Sequence, residues 1–192
     1  MKTAPDPIHE VLATVGLPPD FVDALIHESD WSLVIKLHAV FEAVLAELVV
    51  QELKSDKLKD VVAHLDFNNI KSGKVAFARA LGLLESREAA FLRGLSEMRN
   101  RLVHDVRNVG FDLVKAVAAM TVSERKKFRS EFGASLCSTE SGAEKYGEYL
   151  VERPAFIILS AAYHCLLVLR MNTTEKRRQA LVEALMLYQG KT

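Results

Sequence analysis

Apolar residues recur along this chain at steps of three and four, and nowhere in sustained alternation, so the pattern is helical throughout. The longest example starts at Ser29 or Asp30, either of which suits a helix cap, and runs to about Leu53. Leu33, Leu37, Val40, Val44 and Leu48 make one stripe, and Val34, Phe41, Leu45 and Val49 make a second beside it. A face that broad packs against more than one neighbour.

The same reading places shorter elements on either side. Asp6 to Val15 forms a first helix ending at Gly16, and Phe21, Leu25 and Ile26 suggest another turn or two after Pro18-Pro19-Asp20. Lys54 to Asp60 is a solvated polar break, followed by a short helix on Leu58, Val61, Val62 and Leu65. Asp66-Phe67-Asn68-Asn69 is a turn by composition. The next helix spans roughly Lys71 to Leu81, with Gly82 as a left-handed stop and Leu83 folding back. Ser86 caps a helix striped by Phe91, Leu95, Met98, Leu102 and Val106, which Asn108-Val109-Gly110 ends or bends. Phe111 to Met120 is helical, and Thr121 and Glu124 form a capping box for a helix reaching Gly133. Ala134 to Gly147 reads as the longest loop. Pro154 opens an apolar helix, and Thr173 or Thr174 caps a last one that reaches Gln189 and stops at Gly190. The expectation is an all-α, single-domain helical bundle. Short helices occupy 1–29 and the bundle 30–192, with 30–110 as its core and 111–192 adding C-terminal helices.

Composition narrows the function classes. A chain of 192 residues, 49% apolar and 26% charged, supports one well-buried core and little disorder. Its 25 basic and 25 acidic side chains balance, which excludes a strongly cationic nucleic-acid binder, leaves room for a local basic patch, and permits self-association. Cys137 and Cys165 form no C-x-x-C pair, so a reducing, cytoplasmic setting is expected. Met1 to Pro7 lacks the apolar core of a signal peptide. The run Pro154 to Leu169 falls short of the roughly 20 residues a membrane span needs, so it reads as a core helix and no membrane partner is expected.

Polar chemistry concentrates in Glu97-Met98-Arg99-Asn100-Arg101-Leu102-Val103-His104-Asp105. At about 100° per residue, Glu97, Arg101 and Asp105 form a row that an ordinary salt-bridge ladder explains. Asn100 and His104 lie opposite the apolar stripe, whereas Arg99 lies on its flank beside Leu92, Ser96 and Val103. Arg99 and His104 are therefore about 140° apart on a straight helix. Three routes bring them together: a bend near Asn100, an Arg99 side chain that wraps the helix, or a symmetry mate that supplies the second pair. The plainer account makes His104 a cationic helix C-cap and Arg99 an interface salt bridge.

Arg99-Asn100-x-x-x-His104, late in a helix that follows "FARALGLLESREAAFLRGLSEM", resembles the R-x4-6-H motif of the HEPN superfamily. "LVIKLHAVFEAVLAELV" ahead of "KVAFARALGLL" and "MRNRLVHD" looks like its mannitol operon repressor branch, over roughly Asp30 to Asp105. The resemblance implies a homodimer whose two motifs face each other, and RNA cleavage without metal. Arg99 and His104 would be catalytic, Asn100 assisting and Glu42 supporting. A histidine titrates near neutral pH and can take a ribose 2′-hydroxyl proton, while a guanidinium holds the phosphate. The branch resemblance implies instead a non-catalytic transcriptional regulator acting through a protein partner.

Elsewhere the signals are thinner. His38 shares a helix face with Glu42, and a surface polar contact is the commoner meaning of such a pair. Ser72-Gly73-Lys74 lacks the earlier glycine and preceding strand of a phosphate loop. No H-E-x-x-H, zinc spacing or G-x-S-x-G occurs, so neither metal nor cofactor is expected. No basic recognition helix supports direct DNA binding. The basic runs Arg125 to Arg129 and Lys176 to Arg178 gain meaning only if they flank Arg99.

Overall fold

Ser29 opens the helix around which the others pack. Its hydroxyl accepts from the Ser32 N–H at 3.3 Å, and Glu28 holds Ser32 and Lys36 from just upstream. In the computed structural model, which describes residues 6–133, 149 and 151–189 (176, 177 and 180–189 by helical course alone), this is α3, Asp30–Leu53. Both of its stripes are buried, and each large side chain so removed from water contributes about 1.5–3 kcal/mol. Lys54 ends it in the left-handed region at φ 51°.

The described residues are helical and include no strand, so the all-α expectation holds. Asp6 caps α1 (Pro7–Thr14), and the single turn α2 (Phe21–Ala24) follows. Val11, Leu12, Val22 and Leu25 join the same buried cluster as α3. Next come α4 (Lys59–His64), α5 (Lys74–Ala80) and α6 (Ser86–Val103). Then follow α7 (Leu113–Ala119), α8 (Val122–Phe128) and α9 (Pro154–Gln189). α3 packs on α4, α5, α6 and α9, and α1 lies along α9.

Local chemistry explains where the boundaries fall. α5 starts at Lys74 because the Asn69 side chain takes the Lys71 and Ser72 N–H groups into a turn, later than the expected Lys71. It ends as expected: Gly82 has φ 68°, its N–H reaches Arg79 O, and buried Leu83 reaches Ala78 O at 2.8 Å. α6 is capped by Glu85 and not by Ser86. The acid three residues on is what a reciprocal cap needs, and Glu88 fills that place for Glu85, whereas Ala89 would face Ser86. α8 carries the expected box of Thr121 and Glu124, then widens into a π turn, Arg129–Gly133.

Two expectations fail toward the C-terminus. No helix starts at Thr173 or Thr174, since both lie inside α9 with their hydroxyls bonded to the carbonyls of Leu169 and Arg170. Satisfied in that way, a threonine is no stop signal. The apolar stretch is also longer than Pro154 to Leu169. By length and composition Pro154–Glu175 could cross a membrane, at a mean hydropathy of 1.6, yet half of it is buried inside the bundle as a core helix is. The loop expected at Ala134 to Gly147, and the stop at Gly190, lie outside the described residues.

Candidate functional site

α6 runs unbroken past Asn100 to Val103, so no break in the helix falls at Asn100. The chain turns only after His104, where Asp105 takes extended dihedrals and binds the Arg107 backbone and guanidinium. Asn108 closes the helix end by donating to the Arg101 carbonyl at 3.0 Å. Val106 thereby leaves the expected stripe and is 84% exposed. The expected charge ladder does not form either. Glu97 pairs with Lys127 of α8 at 2.7 Å and Asp105 with Arg107 at 2.6 Å.

Arg99 is half-buried and donates to Asn100 Oδ1 at 3.0 Å, but it has no carboxylate partner among the described residues. His104 is the C-cap of α6, exposed, and its imidazole is held by no described residue. No hydrogen bond or ion pair joins Arg99 to His104 within one chain. Close to His104 in sequence, Val103, Val106 and Val109 are each exposed.

Beneath Arg99 lies a polar group that the sequence only half discloses. His38 of α3 is 5% exposed, stacked at a tilt on Phe67 with ring centres 4.5 Å apart. Its Nδ1 is 3.9 Å from Glu42 Oε2, and its buried Nε2 has no partner. Burial pushes its pKa down to about 4, helped by the positive charges of Arg99 and Lys74 and opposed by Glu42. The ring is therefore neutral at pH 7. Lys74 is 1% exposed and spends all three of its protons, on Glu42 Oε1 (3.0 Å), Ala63 O (2.9 Å) and Leu65 O (3.0 Å).

Glu42 thus meets Lys74 and His38, and Arg99 acts on the same histidine from α6. Lys74 is balanced by Glu42, which leaves Arg99 as the uncompensated cation of this group. Lys74 is the residue that sequence reasoning set aside with the phosphate-loop resemblance. The signal that could have found it is Gly73, where an added Cβ would sit 2.5 Å from the Asn69 backbone nitrogen. That close approach turns the first residue of α5 inward.

The other flank of α6 borders a cleft of about 750 Å³ between α6, α7 and α8. Met98, Leu102, Phe111, Met120 and Phe128 supply apolar walls, with Arg101, Lys127 and Glu131 among its polar groups. From the basic run Arg125 to Arg129, Lys127 reaches this cleft, on the flank away from Arg99. Lys176 and Arg177 lie outside the described side chains. Among the described residues, no three His, Cys, Asp or Glu are grouped to hold a metal. Compared with protein-family models, curated proteins and solved structures, the chain matches none.

Proposed function

We propose that the chain is a HEPN-like domain that pairs with a second copy and cleaves RNA without a metal. The observation that carries this reading is the state of Arg99 and His104. Both sit at the C-terminal end of α6 with no carboxylate partner among the described residues, close in sequence to the exposed valines 103, 106 and 109. Uncommitted polar groups near exposed apolar side chains suit an interface at which a partner copy brings its own pair alongside.

In that arrangement His104 of one copy takes the proton from a ribose 2′-hydroxyl. The freed oxygen bonds to phosphorus, the P–O5′ bond breaks, and the departing 5′-oxygen takes up a proton. The products are a 2′,3′-cyclic phosphate and a 5′-hydroxyl. Arg99 holds the phosphate and meets its growing charge. Asn100, bonded to Arg99, orients the guanidinium. Glu42 supports it from below by neutralising Lys74, so that phosphate meets one unbalanced cation on a fixed base.

The test is incubation of single-stranded RNA with the protein and a chelator. Wild type cleaves, while Arg99→Ala and His104→Ala do not. Equal cleavage by all three, or none by wild type, sinks the enzyme reading. The second reading is a mannitol operon repressor-like module that acts through a protein partner. It is favoured by the lack of any Arg99–His104 contact within the chain, and it is the one left standing if wild type leaves RNA intact.

A further inference from the structure

Most polar groups on the rim of the α6–α8 cleft are already occupied. Lys127 takes Glu97 at 2.7 Å, and the Thr121 N–H and hydroxyl take Glu124, each at 2.7 Å. Two are not. Arg101 makes no ion pair among the described residues, its expected ladder partners being bound elsewhere. Glu131 is paired with Lys127 at 3.6 Å and also feels the charge of Arg101. Its carboxylate lies against the backbone of α6 at Gly94, where a Cβ would come within 2.9 Å of Oε2. Its side chain is 17% exposed, and burial raises its pKa, with the charge of Glu97 adding and Lys127 opposing. A ligand N–H donated to this carboxylate would favour its charged form.

The cleft therefore offers a guanidinium donor and a two-oxygen acceptor above a floor that includes Phe111, Phe128 and Phe132. At about 750 Å³ it falls within the usual range for small-ligand sites. A simple anion would use Arg101 alone, and a simple cation Glu131 alone. A neutral planar ring that carries an acceptor beside two donors uses both, and its faces suit the phenylalanines.

We propose that this cleft binds a guanine base, with O6 accepting from Arg101 and the N1 and N2 hydrogens donating to Glu131. Guanine is the one standard base whose pairing edge reads acceptor, donor, donor. Adenine, cytosine and uracil each present Glu131 with one edge N–H where guanine presents two, so its second oxygen goes unmatched, which selects against them. The base comes either from a free nucleotide or from a splayed residue of single-stranded RNA. Neither Arg99 nor His104 enters this assignment.

Calorimetric titration of the full chain with GMP, AMP, CMP and UMP, and with single-stranded RNA with and without guanine, tests it. GMP binds about tenfold or more tightly than the other three nucleotides, a gap of roughly 1.4 kcal/mol. Glu131→Gln and Arg101→Met each bring GMP down to the level of AMP at an unchanged melting temperature. If Glu131→Gln fails to fold, Arg101→Met decides. Binding of guanine-containing RNA but not of GMP upholds the site and names RNA as its source. Four nucleotides bound alike, or no binding of any nucleotide or RNA, overturns it. GMP binding retained by a chain that does not cleave RNA separates this inference from the cleavage reading.

Discussion

Lys74 Nζ lies 3.0 Å from Glu42 Oε1, and that pair sets the charge beneath Arg99. The lysine is sealed in the core while the glutamate keeps 42% of its side-chain surface in water. Removing the acid strands a buried cation. Glu42→Ala is expected to destabilise the chain by about 2 kcal/mol. That is below the roughly 3–5 kcal/mol of a fully buried pair, since water replaces part of what is lost. Urea unfolding at pH 7 measures it, and a change under about 0.5 kcal/mol would remove the pair from any structural role.

His38 gives this network a pH dependence. Its pKa is about 4 in the fold against an ordinary value of 6.5. Between those values the unfolded chain holds more protons, so stability is complete above about pH 6.5 and falls as pH drops toward 4. The full loss is on the order of 3 kcal/mol. Unfolding free energies at pH 7 and pH 5 should differ in wild type, and His38→Phe should flatten the difference. An equal slope in both proteins would place the titrating group elsewhere.

Two glycines separate steric need from chain freedom. At Gly73 a Cβ meets the Asn69 backbone at 2.5 Å and 2.6 Å, whereas at Gly110 nothing lies within 4 Å. Gly73→Ala should lower stability by about 1–3 kcal/mol, since backbone must shift to admit it. Gly110→Ala should be neutral or slightly stabilising. Melting curves of the two variants check this, and a harmless Gly73→Ala would mean that the turn carrying Lys74 is looser than described.

What was legible in the sequence was whatever local rules decide. The two stripes of α3, the Ser29 and Thr121 caps, and the Gly82 stop each depend on residues within a turn or two. Competition from distant residues was not legible. Glu97 had Arg101 four residues away, yet Lys127, 30 residues on, took it. Lys74 drew notice only within a rejected phosphate-loop pattern, and nothing local announces the carbonyls of Ala63 and Leu65 that surround it. His38 and Glu42 were visible as a pair on one helix face, but not that α6 would set Arg99 over them. The angular mismatch of Arg99 and His104 was legible, and α6 continues unbroken past Asn100, with no hydrogen bond or ion pair joining the two.

If the valines around His104 meet a second copy, charging them should separate the copies without harming the monomer. Val106 is 84% exposed and Val109 54%, so Val106→Glu and Val109→Glu should change stability by less than about 0.5 kcal/mol. Sedimentation should show wild type as a dimer and the double variant as a monomer. A wild type that sediments as a monomer at tens of micromolar would end the dimer proposal.

Arg99→Ala and His104→Ala, mixed and allowed to exchange, distinguish a shared site from a private one. In a dimer built from one copy of each, one composite site has lost both groups and the other keeps an intact Arg99 and an intact His104 from different chains. Random exchange makes about half of the dimers mixed, and half of the sites in those are whole, so roughly a quarter of wild-type cleavage returns. If Arg99 and His104 act within one chain, no mixed dimer holds a complete site, and the mixture stays as inactive as its parts. Cleavage of a labelled RNA before and after mixing reads the difference directly, with the Val106→Glu, Val109→Glu background as the control in which exchange cannot assemble a site.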